Sequence, residues 1–213
     1  EHSFICCLSS LNLAKYDEWK DTDVVEIATY FLDGVMEEFI VKTNGKEAMK
    51  RTHKHAKKGR ALGLGVMGWH TFLQKKNLPF NSIASTAWTH TIMSKIRNEA
   101  EAASRQLAEE YGEPLWCKGT GMRNTHVLAI APTVSNSRIG GCSAGIEPQP
   151  ANVYTFNGAK GTFIVKNPEL EKLLEEKGKN TNQIWDQILS DAGSVQNLSN
   201  EILTEEDKEV FLT

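Results

Sequence analysis

Hydrophobic positions in the N-terminal third of the chain follow a helical period. Between about Thr22 and Ile40 they recur every three or four residues, which predicts an amphipathic helix that ends near Asn44-Gly45. A basic stretch from Lys46 to Lys58 predicts a second helix, ended by Gly59. We expect the first helix to pack on the core through the apolar side chains that share its spacing: Val24, Ile27, Phe31, Val35 and Phe39.

A longer helical pattern occupies the middle of the chain. It spans about residues 82–111 and stops at Gly112. Nearer the C-terminus, Pro168 and Thr181 each open a shorter helix. The long helix is expected to bury one stripe of side chains: Trp88, Ile92, Ile96, Ala100, Ala103 and Leu107.

Short apolar runs without polar alternation predict buried β-strands. They cover residues 4–8, 60–68 and 127–131. Such runs are typical of strands buried on both faces, and their separation by long helices indicates an α/β architecture with parallel strands. Residues 152–165, centred on Asn157-Gly158-Ala159-Lys160, predict a β-hairpin.

The composition is that of an ordinary soluble globular protein. Of 213 residues, 40% are hydrophobic and 24% are charged, which excludes disordered, collagen-like and membrane-embedded classes. The formal net charge of −3 gives no chain-wide basic surface for nucleic acid, and we interpret the basic run at 46–60 as a solvated helix face. No apolar run can span a bilayer, and four cysteines are too few for a disulfide scaffold. We therefore expect a cytoplasmic protein without a nucleic-acid or membrane partner.

Both ends of the sequence read as internal positions. The chain opens with Glu1 and enters an apolar run at Phe4. At the other end Thr204 caps a helix that stops at Thr213, before it has enough turns to bury its apolar residues. We expect residues 1–213 to be an internal piece of a longer polypeptide.

The glycines at positions 63, 65 and 68 match the spacing of a dinucleotide-binding fingerprint. The context differs, because residues 54–58 are basic and helical where an apolar strand is required. Residues 81–88 contain no acid to bind a ribose. We therefore interpret the glycines as allowing close packing where a strand turns into a helix, with a nicotinamide-dependent oxidoreductase as the alternative.

The segment after the third apolar run offers groups that suit an anion. It supplies hydroxyls, an amide and backbone N–H groups directly after a buried strand, where α/β proteins place ligands such as phosphate. An equal alternative is a loop that merely caps a helix. The residues concerned are Thr133, Val134, Ser135, Asn136 and Ser137.

Adjacent cysteines at positions 6 and 7 lie on the first predicted strand. Because side chains alternate along a strand, Cys6 and Cys7 should point to opposite faces, and at most one can reach a given site. The alternative is two buried cysteines that serve as small hydrophobic residues. His53 and His55 lack the spacing of a zinc-binding pair, and we expect no metal site.

Several strings, in order along the chain, resemble the large catalytic subunit of class I ribonucleotide reductase. They are ICCLSSLNL at residues 5–13, RALGLGV at 60–66, Arg123-Asn124 with LAIAPT at 128–133, SAGIEP at 143–148, VKNP at 165–168 and GSVQ at 193–196. The resemblance implies a ten-stranded α/β barrel built from two half-barrels. Residues 1–213 would form most of the second half-barrel, with a β-hairpin and peripheral helices.

The resemblance also implies a reaction and its residues. In this family a cysteine thiyl radical removes the 3′ hydrogen of a ribonucleotide, the 2′ hydroxyl leaves as water, and two cysteines supply two electrons by forming a disulfide. Cys6 resembles the second cysteine of that pair, and residues 133–137 resemble the segment that holds the substrate phosphates. Asn136 replaces a hydroxyl often found there, which puts its side-chain contact in doubt.

The implied partners are a ribonucleoside diphosphate, the remainder of the large subunit, a radical-generating small subunit, and thioredoxin or glutaredoxin. ATP and deoxynucleotide effectors would bind outside this segment, which itself would bind no cofactor. The radical-bearing cysteine should precede Glu1, and the relay tyrosines should follow Thr213. We therefore expect the isolated chain to be inactive, with a binding module that acts only by association as the alternative.

Overall fold

The structure is a computed structural model that describes residues 2–158 and 161–213. Its strands are β1 Cys7–Asn12, β2 Leu62–Met67, β3 Val153–Gly158 and β4 Gly161–Lys166. Its helices are α1 Tyr16–Trp19, α2 Val24–Thr43, α3 Lys50–Gly59, α4 Trp69–Lys75, α5 Ile83–Tyr111, α6 Asn136–Ile139, α7 Pro168–Glu176, α8 Asn182–Ser190 and α9 Glu205–Val210. Within these residues no helix combines the length and the hydrophobicity that crossing a bilayer requires.

A parallel sheet lies at the centre of the N-terminal part. Strands β1 and β2 pair in parallel, with Cys7 opposite Leu62 and Asn12 opposite Met67. On the other side of β2, the Leu64 N–H donates to the Val127 carbonyl at 2.9 Å, and the Ala129 N–H returns a bond to Leu64 at 3.2 Å. The sheet therefore has the parallel order that the sequence predicts, with helices between its segments.

The prediction of three strands buried on both faces is wrong for two of them. Strand β2 is buried over Leu62–Val66, but Leu8 in β1 is 55% exposed and Ile130 in the third segment is 44% exposed. Residues 127–131 form a single parallel bridge rather than a regular strand. Leu8 is exposed because helices cover one face of the sheet and no described element covers the face on which Leu8 and Cys6 lie. Ile130 lies on the helix-covered side, where it lines a cavity with Val66, Trp69 and Ile92 and stays partly exposed.

One hydrophobic cluster fills the space between the sheet and helices α2, α4 and α5. The stripe predicted for α5 is confirmed, because Ile92, Ile96 and Leu107 are each almost fully buried. A second cluster joins α7, α8 and α9 through side chains such as Leu170, Ile188 and Leu203. Each fully buried side chain of this size stabilises the fold by about 1.5–3 kcal/mol.

Helix α2 buries a different face from the predicted one. Val25, Leu32 and Met36 are buried, whereas Phe31 is 65% exposed and Ile27 and Val35 are also exposed; Val24 and Phe39 contact the core only in part. The helix packs this way because Asp33 faces inward and binds a buried arginine. Because Asp33 on the packed face is polar, the spacing of hydrophobic residues in the sequence did not reveal that face.

The buried carboxylate of Asp33 joins three chain segments. It accepts hydrogen bonds from Arg60 Nε at 2.9 Å and Nη2 at 2.8 Å, from Arg123 Nε at 2.9 Å, and from Asn124 Nδ2 at 2.9 Å. Burial alone would raise the pKa of Asp33, but the hydrogen bonds and charge of Arg60, with those from Arg123 and Asn124, hold that pKa below its usual value. Helix α2 is thereby tied to the segments that enter β2 and the third sheet segment.

The helix starts and the hairpin agree with the sequence predictions. Thr181 caps α8, Asn167 caps α7 with Pro168 at its first position, and Thr204 and Asp207 form a capping box on α9. Strands β3 and β4 pair antiparallel along their whole length. The turn residues Ala159 and Lys160 lie outside the described residues.

Candidate functional site

The carboxyl end of the parallel sheet is closed by the loop at residues 132–145. Asn12, at the end of β1, donates through Nδ2 to the Gly140 carbonyl at 3.1 Å. Gly68, which follows β2, donates its N–H to the Ser143 carbonyl at 2.8 Å. The loop thus meets both strand ends, at the edge where parallel α/β sheets usually bind ligands.

Close packing accounts for the glycine motif. A Cβ at Gly65 would overlap the Ala129 carbonyl oxygen, and a Cβ at Gly68 would lie 3.0 Å from both Asn12 Oδ1 and Cys142 Cβ. Gly68 also has a φ of +81°, which favours glycine. These contacts agree with our interpretation of the motif as a packing device.

The turn at residues 133–136 carries backbone donors with no protein acceptor. Thr133 has a φ of +50°, and its Oγ1 accepts a hydrogen bond from the Gly145 N–H at 2.8 Å, which fixes the turn. Helix α6 then begins, and the Ser137 N–H donates to the Thr133 carbonyl at 2.9 Å. The N–H groups of Val134, Ser135 and Asn136 make no hydrogen bond within residues 2–158 and 161–213.

The side chains of this turn differ in how accessible they are. Val134, Ser135 and Asn136 are exposed, and Ser135 stands at the N-cap position of α6 without making a capping hydrogen bond. Ser137 is only 3% exposed, and its hydroxyl donates to the Val134 carbonyl at 3.4 Å. The Ser135 hydroxyl therefore remains available to a ligand, while Ser137 braces the turn from within.

The two adjacent cysteines lie on opposite faces of the sheet, as alternation predicts. Cys7 packs against the main hydrophobic cluster. Cys6 lies on the opposite face, called the open face here because no described helix covers it. A Cβ added to Gly63 would lie 3.0 Å from the Cys6 Sγ and 2.9 Å from the Ala129 Cβ, so Cys6 and Ala129 are neighbours on this face. Burial raises the pKa of the Cys6 thiol, and Cys7 adds to the rise, so Cys6 carries its proton at neutral pH.

A cavity of about 330 Å³ separates the loop from the hairpin. Arg138, Cys142, Tyr154 and Lys166 are among its lining residues, and the Arg138 guanidinium lies 4.5 Å over the ring of Phe156. Sequence patterns gave no indication of this cavity, because it forms between segments that are distant along the chain. In the described part of the chain, no group of three or more His, Cys, Asp or Glu residues could hold a metal ion.

Comparisons with known proteins agree with the sequence resemblance. The family model described as "Ribonucleotide reductase, barrel domain" matches residues 1–118 and 116–213. A putative ribonucleoside-diphosphate reductase large subunit of Frog virus 3 (isolate Goorha) is 37% identical over 214 residues, which is 100% of this chain and 38% of the relative. The large subunit of Invertebrate iridescent virus 6 is 39% identical over 98% of this chain and 22% of its own length.

A solved structure shows the same fold. The class Id ribonucleotide reductase alpha subunit of Actinobacillus ureae superposes with a TM-score of 0.92 at 47% sequence identity. The match covers 100% of this chain and 39% of that subunit. The chain thus spans about two fifths, or less, of the length of the proteins it matches.

Proposed function

The chain belongs to the ribonucleotide reductase barrel-domain family, and from that premise we propose that it forms most of the second half-barrel of a ribonucleoside-diphosphate reductase large subunit. The activity proposed for the complete subunit is reduction of ribonucleotides to 2′-deoxyribonucleotides. The observation that carries the proposal is the turn at residues 133–136, which presents three unpaired N–H groups at the carboxyl end of the sheet.

The turn is proposed to bind the phosphates of the substrate. Phosphate oxygens are anionic acceptors, and backbone N–H groups at the start of a helix are suitable donors for them. The exposed hydroxyl of Ser135 would add a side-chain contact, while Asn136 would contribute its backbone N–H. The hydroxyl of Thr133 already accepts from Gly145 and would contribute mainly by holding the turn.

Cys6 is proposed to deliver reducing electrons on the open face of the sheet. Two thiols that form a disulfide release two electrons and two protons, which replace the 2′ hydroxyl by hydrogen as that hydroxyl leaves as water. A thiol that keeps its proton at neutral pH suits this role. Ala129, whose side chain lies beside Cys6, precedes Thr133 by four residues. Because four residues span at most roughly 14 Å, the turn begins within that distance of Ala129.

The partners follow from the same proposal. They are a ribonucleoside diphosphate, the remainder of the large subunit, a radical-generating small subunit, and thioredoxin or glutaredoxin to reduce the disulfide, with ATP and deoxynucleotides as effectors elsewhere on the subunit. A cytoplasmic location would keep Cys6 reduced between turnovers. Because only one reducing thiol is assigned to these residues, the 213-residue chain alone should form no deoxyribonucleotide.

Substitution of the adjacent cysteines tests this proposal. In a full-length large subunit that contains these residues, Cys6→Ala should abolish deoxyribonucleotide formation, because the disulfide can no longer form. Cys7→Ala is the matched control: it removes a thiol from the opposite face and should retain turnover, with stability lowered by about 1 kcal/mol. Full turnover in the Cys6→Ala subunit, assayed with a dithiol reductant, would refute the assignment.

A further inference from the structure

Residues 3–6, which lead into β1, are fastened to helix α3. The Ser3 N–H donates to the Arg51 carbonyl at 3.4 Å, and the Ile5 N–H donates to His55 Nδ1 at 3.4 Å. Pairing with the β2 segment begins two residues after Ile5, where the Cys7 N–H donates to the Ala61 carbonyl at 3.4 Å. Cys6 is therefore held between the first hydrogen bond of the sheet and the bond to His55.

The imidazole of His55 is itself held by contacts with two aromatic rings. Its ring centroid lies 4.8 Å from that of Phe4 and 5.2 Å from that of Trp116, both in edge-to-face contact. The side chain is buried at 8% exposure. Trp116 in turn packs on Gly59, where an added Cβ would lie 2.6 Å from the indole ring. A ring enclosed in this way holds Nδ1 in one place.

We propose that His55 is a positioning residue that fixes the Cys6 thiol through the backbone N–H of Ile5. The inference rests on the redox role proposed for Cys6, since only that role makes the position of this thiol matter for chemistry. The segment is also anchored by Ile5, whose side chain packs against the main hydrophobic cluster. The segment is therefore held at two points: its backbone by the hydrogen bond to His55, and the Ile5 side chain by packing against the cluster.

The protonation state of His55 suits an acceptor. Burial lowers its pKa, and the nearby His126 lowers it further, so the ring is neutral at pH 7 and Nδ1 can accept. Further basic side chains lie close to this aromatic group: His2 contacts Trp116, Lys54 acts electrostatically on His2, and the Nζ of Lys58 lies 6.0 Å from the Trp116 ring centroid.

Substitution of His55 in the 213-residue chain tests the proposal. His55→Phe keeps the ring packing and removes the acceptor. Hydrogen exchange at the Ile5 amide should become about fivefold faster, which is the factor expected for the loss of one net hydrogen bond. Alkylation of Cys6 by iodoacetamide, followed by peptide mass mapping, should rise by the same factor. His53→Phe is the matched control, since His53 lies on the same helix with its Nδ1 3.0 Å from Thr43 Oγ1. It should change neither rate.

Rescue separates positioning from a general loss of structure. The side-chain oxygen of His55→Asn can replace Nδ1 as acceptor, and this variant should return both rates toward those of the unmodified chain. Unchanged rates in His55→Phe would overturn the proposal, as would an equal rise at Cys142, because the effect would then be global. If Cys6→Ala leaves the full-length subunit active while His55→Phe behaves as expected, the redox role fails and the His55 anchor stands.

Discussion

Single side chains at the turn of residues 133–137 divide into those that face solvent and those that hold the turn. Ser135 occupies the N-cap position of α6 with its hydroxyl unused, whereas the hydroxyls of Thr133 and Ser137 are engaged within the loop. Of the three hydroxyls, that of Ser135 is the most available to donate a hydrogen bond to an anionic ligand.

We therefore expect Ser135→Ala to weaken substrate binding. One charge-assisted hydrogen bond contributes about 1.5–3 kcal/mol, so the KM for a ribonucleoside diphosphate in the full-length subunit should rise about tenfold or more. Ser199→Ala, at an exposed serine that follows Leu198 of the second cluster, is the control and should leave KM unchanged. An unaltered KM in Ser135→Ala would show that the hydroxyl does not contact the phosphates.

Residue chemistry at this site could be predicted only where it depends on local sequence. The turn follows an apolar run and contains donors, so its location was visible from the pattern. The burial of Ser137 and the bond from Ile5 to His55 were not, because each depends on how distant segments pack.

Elements show the same division between local and long-range causes. The extent of α5 and the capped starts of α7, α8 and α9 follow from nearby residues, and all were predicted. The packed face of α2 depends instead on the pairing of Asp33 with Arg60, 27 positions later. Residues 127–131 gave a strand pattern, yet they pair only beside β2 and end at Pro132, which has no N–H to continue the pairing.

At the level of elements, glycine substitutions should have opposite effects in the sheet and in a helix. Gly65→Ala forces a Cβ against the Ala129 carbonyl, so β2 and the third segment must separate, at a cost of about 1–3 kcal/mol. Gly34→Ala in α2 meets no atom within 4 Å and should stabilise the chain by up to about 1 kcal/mol. Urea unfolding of both variants measures the difference. Equal stability would contradict the close approach at Gly65.

The whole molecule has two hydrophobic clusters joined by polar side chains. Asn167 Nδ2 donates to Gln74 Oε1 at 3.2 Å, and His70 Nε2 lies 3.3 Å from the carbonyl of Val210, a member of the second cluster. Such a junction fixes the angle between the clusters, since hydrogen bonds are directional. It could not be predicted, because its members look like isolated polar residues in the sequence.

The open face of the sheet should make the 213-residue chain associate with itself. Among the described strands β1 has one neighbour, and Leu8 is exposed on the face that carries Cys6. Open edges and apolar patches recruit other chains. Light scattering over a concentration series should show association that Leu8→Glu weakens. Ile83→Glu, at an exposed position on α5, should leave it unchanged. A monomer at every concentration would contradict this expectation.

The Asp33 carboxylate has a consequence for how the molecule opens. Helix α2, the residue that leads into β2, and the Arg123-Asn124 pair all depend on this one buried group. None of the three can detach without leaving a buried charge or amide unpaired, which is costly. We therefore expect the helices and the sheet to unfold in a single cooperative step. Because the third segment leads into the turn at residues 133–136, the turn should stay formed only while this unit is folded.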